Sequence, residues 1–471
     1  MHKSTIIPAL LCVLISLKLS AQDIKASLDR SVSLFLKDEQ MQHASMGFFV
    51  LDGSTGEPIY DFDAQKGLAP ASTQKIFTSI ASLDLLGRDF RYKTEIGYRG
   101  SVSGGILKGD LIVSGYGDPT LGSWRFEQTK RDTVLGELVS FIKKGGIKKI
   151  EGNLILDDSR FSYQPLPGGW IWEDLGNYYG AGSWAINWNE NQYDLVLRPG
   201  TEKGKPVTIL STVPDMQLSL LNQLKTGAPG SGDNGYIYLP PYGTEGFTEG
   251  TEAASDTNYT ISGAMPDPPA QFGTALEKAL RISHIGITGK ILTGASFKRN
   301  KKQIPQLTTL LGVHYSPRLD SIVFWFLRKS INLYGEALAK TLAFENSGKG
   351  STEAGVALIR AFWKEKGIEN SALQIQDGSG LSPQNRVTPF SEVKALEYAQ
   401  AQPWFPAFYS SLPSFNGMKM KSGSIGGSRA FTGYQTSQTG KKYIFSLIIN
   451  NYSGSPELIV KKMYTLLNEL K

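Results

Sequence analysis

Thiols are all but missing from this chain, which has one cysteine and four histidines among 471 residues. The cysteine, Cys12, lies in an apolar run close to the N-terminus, and Ala9-Leu10-Leu11 before it lack the small residue that a lipidation site wants. Disulfides, a cysteine nucleophile and thiolate zinc sites are therefore excluded from the mature chain. His43, His284 and His314 are scattered, with no metal-ligand spacing and no motif of a histidine triad. Charge of one sign is also scarce. The formal net charge is +6, and it falls to about +4 without Lys3 and Lys18, too little and too dispersed for a nucleic-acid surface. A weak attraction to an anionic polymer such as cell wall is all that this charge permits. Long hydrophobic runs are absent too. The apolar stretch at residues 6–17 is too short to cross a bilayer comfortably. With Lys3 before it and Leu19-Ser20-Ala21 after it, it reads as a secretory signal, residues 1–21, cut before Gln22, rather than a membrane anchor. Export to the periplasm is expected, with at most loose membrane or wall association.

The rest is ordinary soluble-protein composition, long enough for two or three domains. Apolar residues at helical spacing predict a helix over residues 23–37. Strands are expected at 46–51 and 58–61, around the Gly53-Ser54-Thr55-Gly56 turn. A buried helix follows at 72–86 and stops at Gly87. Short β-like stretches then recur at 92–98, 109–114, 149–156, 193–198, 207–211 and 236–239. A Gly/Pro/Ser-rich loop is expected at 227–235, and a helix at 270–282 after the prolines of 266–269. Helical periodicity resumes near 317, after Asn332 and over 352–366. Strands at 418–421, 431–436 and 443–450 and a helix at 456–470 close the chain.

Three short motifs carry the chemistry. Ser72-Thr73-Gln74-Lys75 sets a hydroxyl and an amine one helical turn apart, on one face. A serine becomes nucleophilic only beside a base. A lysine is a base only when burial or a neighbouring cation lowers its proton affinity. Ser330-Ile331-Asn332 offers Ser330 as a proton relay and the Asn332 amide for Lys75 and the substrate; the plain alternative is a loop serine followed by a helix cap. Lys421-Ser422-Gly423-Ser424 sits at a strand end. There Gly423 admits close backbone approach, and Lys421 with the Ser422 and Ser424 hydroxyls suits a terminal carboxylate. The N–H groups of Ser72 and Ser424 would form an oxyanion hole. Each motif alone is weak: Ser-x-x-Lys is usually a solvated helix face, and a basic strand end is usually just that. Their order, and the absence of competing thiol or histidine chemistry, give the joint signal its strength. If the motifs share one site, the β-rich stretch between the first two is an insertion.

The trio is that of penicillin-binding proteins and serine β-lactamases, and the chain resembles the low-molecular-mass class C penicillin-binding proteins, D-alanyl-D-alanine carboxypeptidases with endopeptidase activity. The resemblance extends to Pro70-Ala71-Ser72-Thr73-Gln74-Lys75, Gly117-Asp118-Pro119-Thr120-Leu121, Asn332-Leu333-Tyr334-Gly335-Glu336, Asp377-Gly378-Ser379-Gly380-Leu381-Ser382 and Asn385-Arg386-Val387-Thr388-Pro389. It implies an α+β fold, a transpeptidase/β-lactamase-like domain with an antiparallel sheet and a helical subdomain. That domain, residues 22–87 and 291–471, would carry a large β-rich insertion at 88–195 and 266–290, itself split by a small domain at 196–265. It also implies roles: Ser72 nucleophile, Lys75 general base, Ser330 relay, with Asn332 and Lys421 completing the site and Ser422, Gly423 and Ser424 binding substrate. The partners implied are peptidoglycan stem peptides, and β-lactams as covalent inhibitors, with no cofactor, metal or nucleic acid. Asp157 looks similar to an inserted-domain acid that binds a diamino acid amine, against the plainer reading of a solvated turn beside Asp158. Ile331 and the serines at 422 and 424 depart from the usual Asp and Thr, keeping both hydroxyls.

Two other functions fit part of this pattern. A serine β-lactamase needs fast deacylation, and no motif here fixes a glutamate for that water. A catalytically silent wall-binding protein is disfavoured because every expected reactive group is present.

Overall fold

The computed structural model describes residues 24–471; the expected leader, with Cys12, lies outside them. The chain forms two compact units. Unit 1 comprises residues up to Ala81, Arg360–Ile375 and Pro383–Lys471, and unit 2 comprises Ser82–Ile359 and Gln376–Ser382.

Unit 1 is built on a six-stranded antiparallel sheet in the order Ser414–Phe415, Met418–Ile425, Ser428–Thr436, Lys442–Asn450, Ser45–Asp52, Pro58–Phe62. The two-residue alternation of the strands feeds two cores. Met46, Phe48 and Val50 join Leu28 and Val32 of the first helix, residues 24–35, and Ile459 and Met463 of the last, Pro456–Leu467. Phe49 points the other way, its ring 5.4 Å from that of Phe390 in the helix Pro389–Gln400. The helix Lys75–Leu85, which begins in unit 1, is buried on nearly every side: Ile76, Phe77, Thr78, Ser79 and Ile80 are all fully covered. Trp363 donates its indole N–H to the Phe77 carbonyl at 3.2 Å and meets the Phe77 ring edge-on.

Unit 2 holds the β-rich stretch. Its main sheet runs Gly286–Ile287, Lys149–Glu151, Ile106–Gly115, Lys93–Ser103, Thr309–Tyr315, with Leu154–Asp157 pairing both Ile106–Gly115 and Ile291–Thr293. The helices Arg131–Lys144 and Pro268–Ile282 cover it through Val134, Leu138, Phe272 and Leu276. A three-stranded sheet (Tyr259–Ala264, Gln192–Arg198, Thr208–Val213) and a four-stranded one (Lys225–Thr226, Glu245–Glu252, Asp233–Tyr238, Ser219–Asn222) extend the same unit. The helices Leu319–Lys329 and Asn332–Ser347 complete it.

The helices Arg131–Lys144 and Pro389–Gln400 and the strands Glu245–Glu252, Tyr259–Ala264 and Thr309–Tyr315 lie where no element was expected, and three expected elements take another form. The strand expected at 149–156 is two strands, Lys149–Glu151 and Leu154–Asp157, because at Gly152 the backbone passes so close to Gly109 that a Cβ would lie 2.1 Å from its carbonyl oxygen. The loop expected at 227–235 ends early, since Asp233–Tyr238 pairs along Glu245–Glu252. The helix expected from residue 72 opens as a 3-10 turn, Ala71–Gln74, before the α-helix starts at Lys75. Residues 291–359, expected with the chain ends, pack within unit 2. The cause is visible on the helix Asn332–Ser347: Tyr334 donates to Glu190, and the Lys340 amine donates to the carbonyls of Gln164, Pro165 and Ser183.

Candidate active site

The first and third motifs lie in unit 1. Ala71, fully buried, adopts φ 50°, a left-handed conformation that costs a non-glycine residue about 1–3 kcal/mol and that proteins keep where surroundings enforce it. The tight turn that follows sets Ser72 over Lys75: the Lys75 amine donates to the Ser72 hydroxyl oxygen at 2.9 Å. Thr73 braces the turn from inside, its hydroxyl donating to the Pro70 carbonyl at 2.8 Å. Lys75 is fully buried while Ser72 keeps partial access to solvent.

The strand Met418–Ile425 runs beside this turn. Lys421 pairs with Thr432 and Gly423 with Ala430, so both face the same side. A Cβ on Gly423 would lie 2.2 Å from the Pro70 carbonyl oxygen and 3.2 Å from the Ser72 backbone nitrogen. Only glycine fits there. The neighbouring strand Ser414–Phe415 pairs with Met418 and Lys419 alone; beyond them no described strand covers the outer edge. Ser424 is exposed and Ser422 partly so.

Lys421 is 1% exposed and donates to the Ser422 carbonyl at 2.8 Å. Burial first, and the Lys75 charge second, push its amine well below the ordinary lysine value. Two amines thus lie buried at this site, and each disfavours a charge on the other.

The second motif lies in unit 2. Ser330 ends the helix Leu319–Lys329 in a left-handed conformation (φ 57°, ψ 39°), and Asn332 opens the next helix. The Asn332 amide donates to the Tyr179 carbonyl at 2.8 Å. Four residues on, the fully buried Glu336 accepts the Gly378 N–H at 3.1 Å. Gly335 and Gly378 pack backbone to backbone, where a Cβ on Gly378 would lie 2.3 Å from the Gly335 carbonyl oxygen. Asp377 ties the loop off, accepting from Gly380 N, Ser382 N and the Trp170 indole at 2.7, 2.7 and 2.9 Å. So the runs 332–336 and 377–382 are one packed piece, and Glu336, Asp377 and Tyr179 support the second motif. A glutamate in a helix gave no sign of this; the glycines at 335 and 378 were the readable signal.

Asp157, 2% exposed, is already engaged: it accepts from the Ser159 hydroxyl at 2.6 Å and from Arg160 at 3.2 Å. Arg160 in turn stacks 3.9 Å over the Tyr116 ring. Any amine that reached Asp157 would share it with Arg160. Among the described residues no group of three or more His, Cys, Asp or Glu is arranged to hold a metal ion, and no helix is long and apolar enough to cross a membrane.

Comparison with known proteins agrees with this geometry. Residues 28–469 match the model of the D-Ala-D-Ala carboxypeptidase 3 (S13) family. A D-alanyl-D-alanine carboxypeptidase from Actinomadura sp. (strain R39) is 28% identical, covering 92% of this chain and 83% of its own. The D-alanyl-D-alanine carboxypeptidase DacB of Haemophilus influenzae is 27% identical over 87% of this chain and 86% of its own. The crystal structure of penicillin binding protein 4 from Haemophilus influenzae superposes with a TM-score of 0.79 at 26% identity, covering 95% of this chain and 99% of that one. A match over nearly the whole described chain, on a fold that pairs a serine with a buried lysine, places it in the D-Ala-D-Ala carboxypeptidase 3 (S13) family, among the low-molecular-mass class C penicillin-binding proteins.

Proposed function

We propose that this chain is a serine D-alanyl-D-alanine carboxypeptidase/endopeptidase that cuts peptidoglycan stem peptides or cross-links through an ester on Ser72. The observation that carries the reading is the 2.9 Å contact between the Ser72 hydroxyl and the buried Lys75 amine, with Lys421 buried beside them on the adjoining strand. Lys75, as the neutral base, takes the Ser72 proton. The oxygen then attacks the carbonyl of the penultimate D-Ala. The N–H groups of Ser72 and Ser424 receive the developing oxyanion. Ser330 passes that proton on to the departing amine, so the C–N bond breaks as the ester forms; water then gives a proton to Lys75 as its oxygen attacks the ester, and Lys75 hands that proton to the departing Ser72 oxygen. Asn332 orients Lys75 and the substrate amide. Lys421, Ser422 and Ser424 hold the terminal carboxylate, and Gly423 lets the peptide backbone lie along the strand edge. Asp157, with Arg160 beside it, is the candidate contact for the third stem-peptide residue. A β-lactam enters by the same attack, and its ring amide opens without a departing fragment. The proposed functional layout is a catalytic domain at 22–87 and 291–471, which draws on unit 1 and on residues 291–359 of unit 2, with an inserted domain at 88–195 and 266–290 and a second at 196–265. The leader at 1–21 would deliver the enzyme to the periplasm.

Labelled penicillin tests this directly. The wild type is expected to become covalently labelled and to release D-Ala from a D-Ala-D-Ala peptide, and Ser72→Ala to do neither. A folded wild type that takes up no label would overturn the reading. Rapid turnover of penicillin would instead select a β-lactamase, and peptide binding without D-Ala release a silent wall-binding protein.

A further inference from the structure

A second concave site lies wholly within unit 2 and contains none of the motif residues. It is a pocket of about 530 Å³, within the range that organic ligands occupy. Its floor is apolar, made by Phe161, Phe297 and Ile304, and its rim carries Lys298, Lys302 and Lys349.

Local structure explains the rim. The run Lys298-Arg299-Asn300-Lys301-Lys302 ends the short helix Gly294–Arg299. Lys301 is left-handed (φ 53°), and the N–H groups of Lys301 and Lys302 close back onto the carbonyls of Lys298 and Phe297 at 3.1 and 2.9 Å. This Schellman-type reversal turns Lys302 back to the pocket that Lys298 lines. One wall is fixed as well. Tyr163 and Tyr242 stack at 4.7 Å, and the Tyr242 hydroxyl both donates to the Tyr163 carbonyl and accepts from the Trp184 indole.

The charges here are uncompensated. Arg299 has Asp267 to interact with. Lys298, Lys302 and Lys349 make no ion pair among the described residues. Lys298 only rests 4.9 Å over the Tyr163 ring. The one acid in the lining, Asp158, accepts the Gly294 N–H at 2.9 Å. Burial, then the charges of Asp267 and Asp157, push it up to about 7, so it offsets little. Three cations around a concave surface attract an anion. The aromatic and aliphatic floor suits an anion with an organic body better than a small hydrated ion.

We infer that this pocket is an accessory site for a carboxylate-bearing peptide, holding one stem peptide of the wall polymer while another is cut. The choice of ligand rests on the proposed function above. Full-length Lys302→Ala/Lys349→Ala and Lys302→Glu/Lys349→Glu variants test it by sedimentation with insoluble peptidoglycan at low and high salt. Lys298 stays in place because it packs on Tyr163. Retention at low salt is expected to fall about tenfold in the alanine pair and further in the glutamate pair. Its salt dependence should flatten. Penicillin acylation and D-Ala release from a small soluble peptide should stay within about twofold, because no motif residue changes. A wild type that does not sediment, or a glutamate pair retained like the wild type, overturns the inference. Polyglutamate should displace the wild type from the wall; displacement by polyphosphate alone would reject the carboxylate assignment. Failure of the enzymatic reading would show separately, as a wild type without penicillin label.

Discussion

The chemistry of a single residue, Lys421, depends on the amine beside it. Its proton affinity is depressed by burial and by the Lys75 charge, so acid should protonate both amines and remove the base. Penicillin acylation is therefore expected to fall as pH drops through the titration of the pair. Replacing Lys421 with Met removes one of the two interacting amines. The acid limb of the acylation rate should therefore shift, alongside a lower maximal rate. Stopped-flow acylation across a pH series reads both effects, and an unmoved acid limb would deny the coupling. At this scale the three motifs were legible by residue type and spacing, and the contact between the Ser72 hydroxyl and the Lys75 amine agrees with the spacing of the first. It was silent about Ala71, since nothing in an alanine announces a left-handed backbone.

A strand's worth to the site lies in how closely it can lie against its neighbour. Met418–Ile425 passes the Ala71–Gln74 turn at a distance that admits no side chain at Gly423. Gly423→Val should push the strand away from Pro70 and Ser72, costing about a hundredfold or more in acylation. The six-stranded sheet should survive in circular dichroism, because the clash is at the strand's end. Acylation at the wild-type rate would show that the strand need not approach. Many regular elements were readable in advance, but the helices Arg131–Lys144 and Pro389–Gln400 were not, and neither were the breaks. The 3-10 opening at Ala71–Gln74 and the interruption at Gly152 both follow from contacts with distant backbone, which a local pattern of apolar residues does not contain. Gly152 and Gly423 were visible as glycines, but what each approaches was legible only once the chain was folded.

The whole molecule carries ionisable groups in its interior, and they make stability depend on pH. Glu336 is the clearest case. Burial, then the Asp377 charge, raises its carboxyl from an ordinary 4.5 to about 8. Between those values the folded chain holds a proton that the unfolded chain has released, so stability falls as pH rises across that window. Glu336→Gln, which mimics the neutral acid, should flatten this slope in urea unfolding measured from about pH 5 to pH 8. An unchanged slope would show that Glu336 is ionised in the folded state. The general order of the chain, with a β-rich stretch between the first two motifs, was legible from the spacing of turn-formers and short strands. The side chains that bind the helix Asn332–Ser347 into unit 2 were not, because Glu190 and Lys340 look like surface charges until their partners are known.

The strand Ser45–Asp52 lies between Pro58–Phe62 and Lys442–Asn450. Early and late segments of the polypeptide are thus neighbours in the sheet beside the reactive serine. Synthesis runs from the N-terminus, and long-range pairing is slow to form. Ser72 is made well before Met418–Ile425 and Lys442–Asn450, and the sheet cannot close until those strands have been delivered. A nascent or truncated molecule would hold the Ser72 hydroxyl without the strand that carries Lys421. Any activity that needs the complete sheet is thereby deferred until both of its distant halves have been made.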